Sequence, residues 1–193
     1  MNYKNILVTG GAGFVGSNIA VKLKEHFSHI SVIALDNLSR KGSEVNIPRL
    51  ERHSVRFQHG DIRLLDERRM EAFDLLIECS AEPSVLAGVT SSPRYLIDTN
   101  LMGAVNCFEL ARKQRADIVF LSTSRVYPVK RVNELAFNET ETRFELAKKQ
   151  TTPGVSEEGI NEQFPLDGAR SLYGATKLSA ETMLQEYTEN YTM

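Results

Sequence analysis

Asn5-Ile6-Leu7-Val8-Thr9-Gly10-Gly11-Ala12-Gly13-Phe14-Val15-Gly16 is the stretch on which the reading of this chain turns. Ile6-Leu7-Val8 is a short apolar run of the kind that forms a buried parallel strand. It stops at glycines 10, 13 and 16. An amphipathic stretch follows, with Phe14, Val15, Ile19, Val21, Leu23 and Phe27 as expected inward positions. Strand, glycine turn and helix in immediate succession give the motif its meaning. Gly10 permits a tight turn, Gly13 lets backbone N–H groups approach a pyrophosphate, and Gly16 lets the helix lie close to the strand. The helix N-terminus then offers unpaired donors to an anion. The spacing, G-x-x-G-x-x-G, is one residue wider at its first step than the commonest dinucleotide fingerprint.

Downstream, apolar runs alternate with helical patterns. Ser31–Leu35 reads as a second strand, residues 54–58 as a third, 74–79 as a fourth and 117–121 as a fifth. Between them, residues 63–73 suit an amphipathic helix, and Arg94 to Arg115 a long one behind Pro93. The segment from Pro128 to about Ala169 loses regularity and reads as a flap, with a short helix expected at Phe144–Lys149. A last helix runs from Ser171 to about Tyr191, with Leu172, Ala175, Leu178, Met183, Leu184 and Tyr187 as core candidates. The order predicts an α/β fold, a doubly wound parallel sheet of the Rossmann type. Ligands of such sheets lie at the carboxyl ends of the strands. Gly10–Gly16, Asp36, Asp61, Ser80–Ala81 and Ser122–Thr123 all fall there.

Asp36, at the end of the second strand, lies where an acid hydrogen-bonds the adenosine ribose and repels a 2′-phosphate. That favours NAD over NADP, although Arg40 and Lys41 follow closely; the plain alternative is a solvated turn aspartate. Asp61 falls where adenine would lie. Asn100 is polar amid an apolar helical surface, and either bridges helices or organises the site.

Tyr173 and Lys177, four apart, share one helix face. A free phenol is a poor base at neutral pH, and a nearby ammonium favours the phenolate. Tyr173 could then take a hydroxyl proton while hydride leaves the adjoining carbon, with Thr123 holding the same oxygen.

Bulk properties bound the rest. The 193 residues suit one domain, residues 1–193, including the irregular insertion at about 128–169. A net charge of −2 implies no general attraction to nucleic acid or anionic membrane. No apolar run reaches membrane-spanning length, and the early first strand leaves no room for a signal peptide. Cys79 and Cys107 read as small core residues, no metal site is expected, and a cytoplasmic setting is the default.

These pieces together resemble the extended short-chain dehydrogenase/reductase superfamily, the NAD-dependent nucleotide-sugar epimerases and dehydratases. The matching stretches are TGGAGFVG (9–16), DNLS (36–39), GDIR (60–63), the N-x-x-G at 100–103, LSTSRVYP (121–128) and YGATK (173–177). Within it the chain is most similar to the CDP-paratose 2-epimerases, through DNLSRKG (36–42), NETETRF (138–144), PGVSEEG (153–159) and PLDGARSLYGATK (165–177). The resemblance implies catalytic roles for Thr123, Tyr173 and Lys177. It implies an NAD site at Gly10, Gly13, Phe14, Val15, Gly16, Asp36, Asn37, Ser39, Arg40, Asp61, Ile62, Ser80 and Asn100, with Tyr173 and Lys177 at its reactive end.

The implied reaction oxidises a CDP- or UDP-linked sugar transiently to a keto-sugar and reduces it again. A UDP-hexose 4-epimerase, a related reductase and a non-catalytic NAD-binding module stay open beside it. The chain departs from the family in carrying Ser124-Arg125 where the dehydratases have an Asp-Glu pair. It also has Pro128 in place of the usual Gly, and Cys79-Ser80-Ala81-Glu82 in place of the more usual His-x-Ala. The resemblance further implies that the C-terminal sugar-nucleotide domain is absent, that the chain alone turns over little, and that a homodimer would pair the helices at about 94–115 and 171–191.

Overall fold

The computed structural model describes residues 2–89 and 92–191. Five strands, β1 (Asn5–Thr9), β2 (Ser31–Asp36), β3 (Arg56–His59), β4 (Leu75–Glu78) and β5 (Asp117–Phe120), pair in the order β3-β2-β1-β4-β5. Every pairing in this sheet is parallel. The chain runs outward from β1 through β2 to β3, then crosses back to β4, so the order reverses beside β1. In a parallel sheet with helices on both faces, strands are apolar on both sides. Ile6 and Val8 of β1 join one core cluster with Ala20 and Val21, while Leu7 between them joins the opposite cluster with Cys107 and Ala111.

The glycine turn sets how the first helix, α1 (Phe14–His26), leaves β1. Gly10 sits at φ 61°, which a residue with a Cβ rarely adopts. A Cβ on Gly16 would lie 2.2 Å from the Gly10 carbonyl oxygen, so the helix touches the turn backbone to backbone. The helix buries Gly16, Ser17, Ala20 and Val21. Phe14 and Val15, expected inward, are instead 84% and 46% exposed. They belong to the first turn, which projects past the sheet edge.

The short helix α2 (Ile47–Arg52) precedes β3, and its Leu50 seals the same side as α1. Between β3 and β4 the expected helix over 63–73 is not formed. Two short 3-10 turns, Ile62–Leu64 and Glu67–Arg69, take its place. Asp61 and Asp66 each accept the backbone N–H two residues on, a local bond that competes with helix propagation. Leu64, which a helix would have turned inward, is 82% exposed.

The long helical pattern behind Pro93 is present in three segments: α3 (Arg94–Ile97), a π turn (Asp98–Met102) and α4 (Gly103–Gln114). After β5, the flap contains α5 (Val129–Asn133) and two small antiparallel hairpins. The first pairs β6 (Phe137–Glu139) with β7 (Phe144–Leu146), and the second pairs β8 (Val155–Ser156) with β9 (Gly159–Ile160). Phe144 therefore starts a strand, not the expected helix; its ring meets Phe137 edge-on across the hairpin, with centroids 5.1 Å apart.

The last helix, α6 (Leu172–Asn190), lies against α4 through Ala104, Phe108 and Ala180. Its buried face is Tyr173, Gly174, Thr176, Lys177 and Ala180. Leu172, Ala175 and Met183, expected in the core, face outward. The face was misjudged because the residues turned inward include a tyrosine and a lysine, which a hydropathy pattern scores as polar. Among the described residues no helix is long and apolar enough to cross a membrane.

The Gly16 contact gives a direct prediction. Gly16→Ala forces a methyl into a backbone carbonyl, and overpacking of this kind costs about 1–3 kcal/mol. A denaturant titration is expected to show a lower midpoint with an unchanged slope; a midpoint equal to that of the parent would contradict the contact.

Candidate active site

A cleft of about 720 Å³ opens along the carboxyl ends of the strands. Its middle, at the end of the central strand β1, is walled by the turn and first helical turn, with Gly10, Gly13, Phe14, Val15 and Gly16. The flank beside β2 and β3 contributes Asp36, Asn37, Ser39, Arg40, Asp61 and Ile62. The other end carries Ser80, Ser122, Tyr173 and Lys177. Thus the glycine turn, the strand-two acid and the Tyr–Lys pair, far apart in sequence, meet in one trough.

The first helical bond of α1 runs from Ser17 N–H to the Gly13 carbonyl. The N–H groups of Phe14, Val15 and Gly16 therefore have no helical acceptor and are available to an anion at the helix N-terminus. Gly13 N–H itself is taken by the Gly10 carbonyl at 3.0 Å, so it shapes the turn. The Asp36 carboxylate accepts Ala12 N–H at 3.1 Å and Leu38 N–H at 2.8 Å. Both bonds fix it at the tip of β2, and each oxygen keeps a further lone pair for a ribose hydroxyl.

Asp61 is held more tightly than a turn residue needs to be. It accepts from the Arg63 guanidinium, at 2.6 Å in the shortest bond, and from Asn37 Nδ2 at 3.0 Å. Arg63 first, and Asn37 after it, hold its carboxyl well below the usual carboxylate range. The guanidinium in turn lies 5.5 Å from the centre of the Tyr95 ring. The result is a fixed acidic wall where an adenine would lie.

At the reactive end, Ser171 caps α6 by accepting Gly174 N–H at 3.1 Å. Gly174 brings that first turn against the loop after β5: a Cβ there would stand 2.0 Å from the Arg125 carbonyl oxygen. Tyr173 and the loop bearing Thr123 are thereby locked together. Thr123 lies outside the cleft wall, which Leu121 and Ser122 supply at that point. Its Oγ1 accepts Arg125 N–H at 3.2 Å, which leaves the hydroxyl proton to donate. Asn100 is also away from the wall. Its amide takes both backbone groups of Glu82, accepting N–H at 2.8 Å and donating to the carbonyl at 3.0 Å. It shapes the Ser80–Pro83 rim and keeps one N–H and one lone pair beyond these two bonds.

One charged residue of the site was not anticipated. Glu78, the last residue of β4, is 1% exposed, and its Oε2 lies 3.7 Å from Lys177 Nζ. A charge inside an apolar strand was the signal available in the sequence, because isolated carboxylates are rarely buried.

The trough fits NAD on its own features: unpaired N–H donors beside a glycine cradle, an anchored ribose-side acid, and a Tyr–Lys pair at the far end. Comparisons with known proteins agree. Residues 6–193 match the model of the NAD dependent epimerase/dehydratase family. The chain is 32% identical to the CDP-paratose 2-epimerase of Salmonella typhi over 94% of its own length and 52% of that protein. It is 38% identical to the UDP-glucose 4-epimerase of Neisseria meningitidis over 64% of its length and 38% of that protein. The UDP-glucuronic acid 4-epimerase of Bacillus cereus, solved with UDP-glucuronic acid and NAD, superposes with a TM-score of 0.72 at 25% identity, over 98% of this chain and 54% of that one. The chain thus spans about half the length of the relatives it matches. By sequence along nearly its whole length, and by a sheet that delivers glycine turn, acid and Tyr–Lys pair to one cleft, it belongs to the NAD dependent epimerase/dehydratase family.

Proposed function

We propose that this chain is the NAD-binding and catalytic portion of a nucleotide-sugar epimerase of the CDP-paratose 2-epimerase type. The observation that carries the reading is the placement of Tyr173 and Lys177 on the buried face of α6, at the end of the cleft opposite the Asp36 flank. When bound, NAD supplies a reversible hydride acceptor. The phenol of Tyr173 takes the proton of the sugar hydroxyl and returns it when the carbonyl is reduced from the other face. Lys177, one turn along the same buried helix face, brings a cation to the same end of the cleft. Thr123 keeps a free hydroxyl proton next to the wall residue Ser122, and its role toward the sugar oxygen requires that hydroxyl to turn into the cleft.

Ser124-Arg125 speaks against elimination of water, since no acid pair stands between Thr123 and Val126. The similarity to a UDP-glucose 4-epimerase supports epimerisation at C4 of a UDP-sugar as the second reading. The sugar-recognising part is assigned to the half of the relatives' length that has no counterpart here. A cytoplasmic setting agrees with two free cysteines. A homodimer through the helices at about 94–115 and 171–191 belongs to the same reading, supported by exposed Tyr95, Met102, Leu172 and Met183 on those helices.

Two outcomes are expected. Calorimetric titration should show NAD binding more tightly than NADP, with Asp36→Ala narrowing the difference; equal affinities in the parent would contradict the role given to Asp36. Tyr173→Phe should lower epimerisation about 10²–10⁴-fold, the usual scale for a general acid–base group, while NAD affinity stays within a few-fold. Epimerisation at the parental rate in that variant would remove Tyr173 from the chemistry.

A further inference from the structure

Glu78 occupies the end of a strand whose other residues are Leu75, Leu76 and Ile77. A buried carboxylate with no opposite charge is strongly disfavoured. Opposite it stands Lys177, 2% exposed, with Nζ 3.9 Å from the centre of the Phe120 ring. The two oxygens of Glu78 have different surroundings. Oε1 accepts Ser80 N–H at 2.8 Å and the Thr9 hydroxyl at 3.5 Å. Oε2 has no hydrogen-bond partner and faces the ammonium at 3.7 Å. The carboxylate is therefore fixed to the sheet on one side and directed at the lysine on the other.

The remaining groups around the pair do not supply a competing positive charge. Burial pushes the Cys79 thiol up to about 12 and the Cys107 thiol well above its ordinary value, so both are neutral at working pH. Tyr173 lies one turn away on the same helix face, and Glu181, one turn further along, adds a second attraction for the ammonium. Burial drives both groups toward their neutral forms, raising the Glu78 carboxyl and lowering the Lys177 amine, and the charge of each opposes the drift of the other, with Ser80 N–H adding to the hold on Glu78.

We propose that Glu78 is a positioning residue of this active site: its carboxylate, anchored by Ser80 N–H at the end of β4, keeps Lys177 protonated and aimed at the reactive end of the cleft beside Tyr173. The inference rests on the function proposed above and extends its Tyr–Lys pair to a Tyr173–Lys177–Glu78 unit. An ammonium has three N–H donors, so one directed at Glu78 leaves two for the cleft. A purely mechanical role, tying α6 to the sheet, would offset the affinity alike at every pH and leave the shape of the profile unchanged.

The test is NAD affinity of the purified protein from about pH 6 to about pH 10. For the parent, affinity should hold through neutral pH and fall only on the alkaline side. In Glu78→Gln, which keeps the shape and removes the charge, the fall should begin about one pH unit earlier or more, the scale on which a lost ion-pair partner shifts a buried group. Glu78→Asp should recover part of that range, and Glu78→Gln should add nothing in a Lys177→Met background. Parallel profiles for the parent and Glu78→Gln, whatever the offset, would overturn the proposal. A parent protein that binds no NAD at any pH would overturn the functional reading instead. Lysine side-chain nitrogen NMR of the unmodified protein needs neither a stable Glu78 variant nor cofactor. The signal lost in Lys177→Met should be that of an ammonium at neutral pH, and a neutral amine there would overturn the proposal on its own.

Discussion

Gly16 meets the Gly10 carbonyl so closely that no side chain fits between the first helix and the turn that launches it. Much of the site depends on that contact. It sets α1 against β1 with its first turn projecting beyond the sheet, where the N–H groups of Phe14, Val15 and Gly16 stay unpaired. It also leaves Gly11 N–H bonded to the Leu35 carbonyl, which ties the turn to the end of β2 and brings Asp36 alongside. Ala12 N–H on the Asp36 carboxylate completes the link. The glycine turn and the Asp36 flank of the trough are thus one hydrogen-bonded unit, built from residues 10–16 and 35–36.

The opposite end is built differently. There the alignment of α6 with the loop after β5 rests on Gly174 against the Arg125 carbonyl and on the Ser171 cap. Burial of Lys177 and Glu78 gives that end an ionic contact among Phe120, Cys79 and Cys107, with Thr9 and Ser80 N–H holding the carboxylate. A buried ion pair adds little net stability, because desolvation offsets most of the attraction. Such a pair behind the cleft wall is better explained by what it does to the lysine than by what it adds to the fold.

The sheet was legible because buried parallel strands are apolar on both faces, and Ile6-Leu7-Val8 or Leu75-Leu76-Ile77 admit little else. The cleft was legible for the same topological reason: motifs at strand ends converge whatever their separation in sequence. Legibility failed where local side-chain bonding overrode the hydropathy pattern. Asp61 and Asp66 start 3-10 turns at 62–64 and 67–69, although Leu64, Leu65, Met70 and Phe73 among charged residues suit an amphipathic helix. It failed again where functional residues occupy a buried face. On α6 the inward positions are Tyr173, Thr176 and Lys177, so the apolar Leu172 and Met183 were wrongly turned inward. Asn100 shows what a motif leaves out: its place in the family pattern suggested a cofactor contact, and the folded chain adds a second task, two bonds to the Glu82 backbone. Glu78 sat in plain view inside an apolar strand, yet its partner lies 99 positions away, and only the folded chain joins them.

The central claim is that the Asp36 flank and the Tyr–Lys pair form opposite ends of a single NAD site, with the glycine turn between them. A crystal structure of the protein with NAD tests it most directly. The account predicts the pyrophosphate at the N-terminus of α1, the adenosine ribose on Asp36, and the nicotinamide beside Tyr173 and Lys177. A cofactor bound in the reverse direction, or away from this cleft, would contradict it.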